Sequence, residues 1–539
     1  MNRLKSFLLY TVLTVVTVAM LFGVSAVERR MNALIRDHHL RFTGQIKNAP
    51  PMVAFTTIAL GSFRGLIADL LWFRATGLQD KGSNYEMVQL ASWITELQPT
   101  FSGATAFLAW NMAYNISVTC SDFGDRWRWV NEGIRLLRDK AIEYNPEDPA
   151  LYKNLAFFFQ HKLGNILDDA NLYYKNQLAI QMGEVIGNRN DFDVWAKAPT
   201  TERTFLAAYG ENPHYQAAMK AAAFADYEAL YKYFRDHKGT LPEAFSNELT
   251  PQLLSEIDLA LRSRWLTDKY KLDPARMARL NEKYGQLEWR LPEAQAIYWA
   301  ELGLEKMPSH ADLNVERVIT QSLYEAFRAG RLLQTSPDDY ATITLAPNLH
   351  LVDAVKQTYI DAEKHNDGQH TFFSARINFM KEAIETLFCY GKFSKAEAYF
   401  EELKKIDEEP RKSRDVEEFV LGRFADKIKD ANVKQTSGII VGLIQRSLYY
   451  LAYGDQDAAI ANERMARYIY RRYMNNVAKG SEVRMGLPPY RTLKRAAIED
   501  SLKTFPPAMA AMLKQRIAEE KAAVEEEAAE ADAPTLPRP

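Results

Sequence analysis

The stretch EYNPEDPALYKNLAFFFQHKLG, residues 143–164, shows how the chain alternates between helix and turn. A helix-like run ends at Tyr144, and Pro146 and Pro149 follow it. Proline has no backbone N–H to donate inside a helix, so these two residues mark a turn. Beyond the turn, apolar residues recur at spacings of three and four, at Leu151, Tyr152, Leu155, Ala156 and Phe159. This spacing predicts a new helix with one buried face.

Most of the remaining sequence follows the same pattern. Runs such as WVNEGIRLLRDKAIEY, residues 129–144, have helical spacing, whereas the alternating runs typical of strands are scarce outside YATITLA, residues 340–346. Helices joined by short turns predict an all-α protein, arranged either as a bundle or as a helical solenoid.

The residues after Pro146 resemble those of the tetratricopeptide-repeat (TPR) family, whose helix-turn-helix unit has about 34 residues. In that family a proline closes one repeat, a large residue begins the next helix, and a Leu–small pair and an aromatic residue follow. Tyr152, the pair Leu155–Ala156 and Phe159 occupy those positions here. The resemblance implies that these residues pack between neighbouring repeats.

Two later segments have related spacings. Gly391 is followed by Ala396 and Phe400, and Gly454 is followed by Ala459. The resemblance covers three parts of the chain, at roughly residues 85–175, 290–335 and 375–475. Because the repeats are unevenly spaced, it implies a degenerate TPR-like α-solenoid.

The amino terminus carries a targeting segment. Arg3 and Lys5 precede an uncharged run at residues 7–27. At about 1.5 Å per residue, a helix of this run is roughly 32 Å long, enough for a bilayer core of about 30 Å. The small residues near Ala26 leave a cleaved signal peptide open, although cleaved apolar regions usually have only about 7–15 residues. We predict a transmembrane anchor, with the signal peptide as the alternative.

The orientation of this segment is argued from the basic residues that follow it, Arg29, Arg30, Arg36, Arg41 and Lys47. They favour a cytoplasmic bulk domain, but long domains are translocated largely regardless of charge. We expect a single-pass protein of the bacterial inner membrane with a periplasmic bulk domain, and keep the cytoplasmic orientation as the alternative. The second apolar run, residues 52–73, contains Arg64 and Asp69 and is interpreted as part of the first helices of the folded domain.

These patterns divide the chain into successive parts. Glycine, asparagine and proline interrupt the helical pattern after residue 176, which indicates an insert with loops. The acidic, alanine-rich end buries too little apolar surface to fold fully. The parts are a basic tail (1–6), the anchor or signal peptide (7–27), juxtamembrane residues and first helices (28–84), TPR-like repeats (85–175), an irregular helical insert (176–290), TPR-like helices (291–335), a connecting segment and helix (336–374), C-terminal TPR-like helices (375–514) and an acidic, partly disordered tail (515–539).

No catalytic or metal-binding motif stands out in the sequence. HExxH, GxSxG, the Walker A loop and GxGxxG after a strand are all absent. Neither Cys120 nor Cys389 has a CxxC partner, which excludes a disulfide scaffold and a cysteine zinc site. A disulfide between the two cysteines stays an alternative only if the domain is exported. The formal net charge is −2, which does not fit a general nucleic-acid binder. We therefore predict no cofactor, no metal and no nucleic-acid partner.

Aromatic residues beside arginine are candidate binding residues. Trp127 and Trp129 alternate with arginines, Trp289 precedes Arg290, and Trp299 lies further along. Tryptophan, tyrosine and arginine are common anchors at binding surfaces, but aromatics in a solenoid also pack between repeats. A solenoid typically binds other chains along its extended face. We predict a membrane-anchored adaptor or assembly scaffold of the bacterial cell envelope that binds other proteins. Two alternatives are an envelope receptor for a small molecule or glycan that uses these aromatics, and an enzyme with its site in the insert 176–290.

Overall fold

The computed structural model describes residues 63–98 and 101–531, together with isolated positions between 15 and 30. Within residues 101–531, the structure does not describe residues 188, 308–311, 336–342, 367–369, 391, 429–432 and 477–486. The regular secondary structure of the described residues is helical apart from one short hairpin, which confirms the all-α class. Contacts divide the chain into two compact units, residues 1–101 with 143–146 and residues 102–142 with 147–539.

In the first unit, the described residues 63–98 form the packed helices α1 (Phe63–Asp80) and α2 (Asn84–Leu97). The turn between them is made at Gly82, whose φ of +69° lies in the left-handed region that glycine adopts without strain. Small and apolar side chains of both helices are buried, namely Ala68, Ala75, Met87, Ala91 and Ile94. Arg74 of α1 also forms an ion pair with Glu86 of α2.

The second unit begins with helices that run into π-helical segments. The elements are α3 (Ser102–Trp110), the π-helical Asn111–Ile116, the 3₁₀ turn Ser117–Thr119, α4 (Phe123–Arg135), the π-helical Leu136–Ala141, α6 (Pro149–Phe157), the π-helical Phe158–Leu163 and α7 (Asn171–Ile186). The short helix α5 (Ile142–Tyr144) precedes α6 in sequence, and its residues 143 and 144 belong to the first unit. In the last π-helical segment, the N–H of Gly164 donates to the carbonyl of Phe159, five residues earlier, at 2.9 Å. π-helical turns are rare and are frequent at functional sites.

Helix α6 begins where the proline-rich turn predicts a start. The Asp148 carboxylate accepts a hydrogen bond from the N–H of Ala150 at 3.0 Å, and Pro149 occupies the first helical turn. An acidic N-cap followed by proline satisfies one free N–H of the helix end, and the ring of proline already has a helical φ. Local chemistry therefore fixes this boundary.

Helix α6 packs against a helix that lies far away in the sequence. The intervening helices are α8 (Phe192–Trp195), α9 (Glu202–Tyr209), α10 (Pro213–Ala221), α11 (Tyr227–Asp236), α12 (Glu243–Ser246), α13 (Pro251–Tyr270) and α14 (Pro274–Tyr284), and they are followed by α15 (Pro292–Glu305) and α16 (Leu313–Ala329). The Tyr152 and Trp299 rings lie 6.3 Å apart, and a Cβ added at Gly303 would lie 3.1 Å from the Cβ of Tyr152. The stack that contains α6 thus continues with α15, and residues 192–284 form an excursion from it.

The carboxyl-terminal part of the second unit is also helical. It contains the antiparallel strands β1 (Arg331–Gln334) and β2 (Thr344–Ala346), the 3₁₀ turn Leu349–Leu351, α17 (Val352–His365), α18 (His370–Cys389), α19 (Phe393–Ile406), the 3₁₀ turn Pro410–Lys412, α20 (Val416–Ile428), α21 (Val433–Ala452), α22 (Gln456–Asn476), α23 (Tyr490–Thr504) and α24 (Pro507–Ala531). Neighbouring helices pack in sequence order from α15 to α19. Helices α21 and α22 form a pair in which the Ser447 hydroxyl donates to the Ala459 carbonyl at 2.7 Å.

Gly133 of α4 allows a close approach between helices, and we predict a stability cost for Gly133→Ala. An added Cβ would lie 2.7 Å from the Ala109 carbonyl oxygen and 3.4 Å from the Ala113 Cβ. Alanine favours a helix over glycine by about 1 kcal/mol, but overpacking typically costs about 1–3 kcal/mol. We expect a net loss in urea denaturation of the full-length protein. Gly183→Ala in α7 is the matched control, because an added Cβ there meets nothing within 4 Å. A gain in stability at both positions would contradict the close approach.

Candidate functional site

The residues predicted to pack between repeats lie mostly in the core. Tyr152, Leu155, Ala156 and Phe159 are buried in α6 and its π-helical continuation. Pro146 lies in the turn that precedes α6 in sequence. In the later segments, Ala396, Phe400 and Ala459 are buried, and Gly454 has a φ of +76° in the turn before α22. Gly391 lies outside the described residues.

The four tryptophans predicted as binding residues are all buried, so they serve packing. Trp127 lies against Tyr174 with ring centres 6.1 Å apart, and Trp299 contacts Tyr152. The Trp289 indole N–H donates to the Asn281 side-chain oxygen at 3.0 Å. Trp129 is buried in α4 as well. None of them presents an open aromatic surface to a ligand.

A different set of rings forms an exposed surface on the second unit. We call Phe107, Trp110, Tyr114, Phe157 and His161 the aromatic surface. Ring centres are 5.0 Å apart for Trp110 and Tyr114, 6.4 Å for Tyr114 and Phe157, and 4.8 Å for Phe157 and His161. Phe107, Trp110 and Phe157 are exposed, whereas Tyr114 and His161 are half-buried.

Helical spacing explains why these rings come together. Phe107, Trp110 and Tyr114 follow each other at intervals of three and four residues, and Phe157 and His161 are four apart. Such intervals place side chains on one face of a helix. The opposite face of α3 carries the buried Leu108 and Ala109. The spacing of these aromatic residues is visible in the sequence.

A buried charge cluster supports the aromatic surface. The Lys162 ammonium lies 5.3 Å from the Tyr114 ring centre and 2.5 Å from an Asp168 carboxylate oxygen, and both charged side chains are buried. Arg126 lies 3.6 Å from the other oxygen of Asp168 and also forms an ion pair with Asp169. The Arg126 side chain further donates to the Cys120 carbonyl at 2.7 Å. These contacts tie the residues after α3 to the loop that follows the π-helical segment Phe158–Leu163.

Burial and this cluster displace several pKa values. Burial raises the pKa of Tyr114, and the negative charge of Asp168 adds to the effect. Burial lowers the pKa of His161, helped by the charge of Lys162. The Tyr114 hydroxyl lies 3.3 Å from His161 Nδ1. Near neutral pH the aromatic surface therefore presents uncharged hydroxyl and imidazole groups between its rings.

The loop after His161 carries two exposed aliphatic residues. Ile166 and Leu167 are 81% and 75% exposed. The Asp168 carboxylate holds the loop from inside by accepting from the N–H of Ala170 at 3.0 Å, while Asn171 donates to the Asp168 carbonyl at 2.7 Å. In the sequence this loop, GNILDD (residues 164–169), is recognisable only as a turn that is longer than usual between two helices. Its exposed aliphatic tip is followed directly by Asp168, which is paired with the buried Lys162.

Cavities in the carboxyl-terminal part of the second unit are lined by paired charges. A cavity of about 510 Å³ lies beside the start of α19, where Lys392 is 3.4 Å from Asp457 and Lys395 is 2.5 Å from Asp353. Another, of about 330 Å³, is bordered by α14 to α17 and includes the buried Glu316, which is 2.9 Å from His365 Nδ1. Since their charged groups already have partners, these cavities are weaker candidates than the aromatic surface.

Neither a metal site nor a membrane span lies within the described part of the chain. Among those residues, no three His, Cys, Asp or Glu side chains are grouped closely enough to hold a metal ion. No helix formed by them has the length and apolar character needed to cross a bilayer. Most of the predicted span, residues 7–27, lies outside the described residues. Neither Cys120 nor Cys389 forms a disulfide in the structure.

Comparison with known proteins adds no assignment. The sequence matches no protein family, and no curated protein is similar to it.

Proposed function

We propose that this chain is a membrane-anchored helical-repeat protein of the bacterial cell envelope that binds another polypeptide as an adaptor or assembly scaffold. Residues 7–27 form the transmembrane anchor, the bulk domain is periplasmic, and the helices around α6 are TPR-like. The polypeptide binds at the aromatic surface. The observation that carries the proposal is this group of neighbouring rings, of which Phe107, Trp110 and Phe157 are exposed to solvent.

The chemistry of the aromatic surface suits recognition of a polypeptide. Tryptophan and tyrosine are enriched among the residues that dominate protein interfaces, and a contiguous exposed apolar patch on a soluble unit marks an interaction site. The uncharged Tyr114 hydroxyl and His161 imidazole supply hydrogen-bonding groups among the rings. The exposed Ile166 and Leu167 extend the apolar area on the adjoining loop.

Support for the repeat and the anchor comes from packing and exposure. Helices α15 to α19 pack in sequence order, and α6 joins this series through α15. Stacks of this kind bury a core between neighbours and leave a long surface for partners. In the predicted span, the individually described Val15, Met20 and Val27 are helical with exposed side chains. An apolar helix with exposed side chains fits a lipid environment.

Site-specific crosslinking tests the proposed surface. With p-benzoylphenylalanine in place of Phe107 of the full-length, membrane-bound chain, we expect light-dependent adducts to a polypeptide. Trp110→Ala with Phe157→Ala should lower the adduct yield by about tenfold or more, because a few central aromatic residues dominate an interface.

Two controls test whether the crosslink is specific to the aromatic surface. The probe in place of Leu206, another exposed apolar residue of the second unit, should give no such adduct. Deletion of residues 521–539 should leave the adduct intact, because this acidic tail cannot contribute a packed surface. An adduct that survives the double alanine change but disappears with the tail would refute the proposed surface.

A further inference from the structure

Helix α1 carries an exposed apolar stripe along one side. Leu66, Leu70 and Phe73 are 57%, 61% and 73% exposed, and the exposed Gly77 continues the line. Their intervals of four, three and four residues place them in one row on the helix surface. The opposite side of α1 is occupied, because Ala68, Ala75 and Leu78 are buried in the first unit. The stripe is therefore the side of α1 that α2 leaves uncovered.

Charged residues border the stripe and none interrupts it. At about 100° per residue, Asp69 and Arg74 lie roughly 70° to either side of its centre line. Both are exposed, and Arg74 is paired with Glu86 of α2. A helix that lies at a membrane surface has this arrangement, with apolar side chains directed into the lipid and charged groups at the edges. Long basic side chains at the border reach the headgroup region while their stems remain on apolar surface.

We infer that α1 lies along the bilayer surface with Leu66, Leu70 and Phe73 in contact with lipid. The inference rests on the proposed anchor at residues 7–27. The linker of about 35 residues to α1 can extend at most about 120 Å, whatever its conformation. The anchor therefore keeps α1 at a high effective concentration near the membrane, so that a weak lipid affinity is sufficient for contact.

The composition of the stripe favours lipid over a protein partner. Its centre consists of leucine, phenylalanine and glycine and has no side-chain hydrogen-bonding group. Protein interfaces combine an apolar centre with direct hydrogen bonds, as the aromatic surface of the second unit can. Lipid tails need only apolar area. The aromatic surface and the stripe thus differ in chemistry, and the stripe is the surface that contacts the bilayer.

Spin labelling of the full-length chain in vesicles of phosphatidylcholine and phosphatidylglycerol tests this contact. Single cysteines at Leu70→Cys or Phe73→Cys, with Cys120→Ser and Cys389→Ser, carry a nitroxide. We expect a several-fold higher ratio of oxygen to nickel-chelate accessibility than at the control Leu206→Cys, which is also exposed and apolar. Carbonate extraction of the same vesicles reports on the anchor separately.

Each outcome of this experiment separates the lipid contact from the anchor. Lipid-exposed labels with carbonate-resistant protein support both. Lipid-exposed labels on protein that carbonate releases support the stripe and refute the anchor. Labels open to the aqueous chelate refute the lipid contact, whether or not the protein resists carbonate. Labels shielded from both reagents, with dipolar broadening between chains, would show that a second copy covers the stripe and would also refute the lipid contact.

Discussion

Asp168→Ala is expected to lower the free energy of unfolding by about 3–5 kcal/mol, the usual cost of breaking a buried ion pair. The substitution leaves the Lys162 ammonium, which is only 3% exposed, without the carboxylate 2.5 Å away. It also removes the acceptor for the N–H of Ala170 and one of the two carboxylates near Arg126. Urea denaturation of the full-length protein in detergent, followed by tryptophan fluorescence, measures the effect.

The neighbouring Asp169 provides the control for this prediction. Asp169 also forms an ion pair with Arg126, but its side chain is exposed. Exposed ion pairs contribute about 0–1 kcal/mol, so Asp169→Ala should have little effect. The double change Lys162→Met with Asp168→Ala should recover much of the loss, because an apolar replacement leaves no charge buried. Equal losses for Asp168→Ala and Asp169→Ala would contradict the buried pair.

The same carboxylate should make stability depend on pH in the acid range. Burial acts to raise the pKa of Asp168, but hydrogen bonds from Lys162 and from the N–H of Ala170 outweigh it and lower the pKa. The unfolded carboxyl therefore takes up its proton at a higher pH than the folded one does. Its stabilising contribution is complete above about pH 4 and is lost as the pH falls through the lower folded-state value. Below about pH 4, wild-type protein should lose stability more steeply than Asp168→Ala does.

Phe159→Ala is also expected to cost about 3–5 kcal/mol, whereas Phe157→Ala should cost far less. The two phenylalanines are separated by one residue, yet Phe159 is 2% exposed and Phe157 is 36% exposed. Removal of Phe159 leaves a cavity in the core. Removal of Phe157 forfeits only the ring contacts to Tyr114 and His161, and such contacts contribute about 0.5–1.5 kcal/mol.

Denaturation of both variants and of the wild type gives the comparison. If the proposed function holds, Phe157→Ala remains folded and has a weakened crosslink to the partner, whereas Phe159→Ala is destabilised. A loss of stability as large for Phe157→Ala as for Phe159→Ala would show that Phe157 belongs to the core.

Local residues were sufficient to predict the helices and several of their boundaries. The turn at Pro146 and the start of α6 follow from proline chemistry and from the Asp148 cap, which act within a few residues. The spacing of Tyr152, Leu155 and Phe159 likewise predicts the buried face of α6, because a helix brings residues three and four apart to one side. The all-α class follows from repetition of this pattern.

Tertiary structure decided which aromatic residues are buried and which are exposed. Trp299 and Tyr152 are buried against each other because α15 packs on α6, and that contact joins residues separated by the whole excursion 192–284. A sequence window around either residue contains no information about the other. The four candidate tryptophans are buried, as packing between helices requires, whereas Trp110 and Phe157 are exposed on α3 and α6.

Helical periodicity and proline turns are short-range properties, so the series of helices and the start of α6 could be predicted from local residues. Tertiary structure alone decided that Lys162 is buried beside Asp168, that the loop between them exposes Ile166 and Leu167, and that three helices adopt π-helical turns. The physical reason is that burial depends on which elements meet in space. Lys162 lies over the Tyr114 ring and Arg126 lies near Asp168, and these contacts join residues too far apart along the chain for backbone preference or side-chain spacing to relate them.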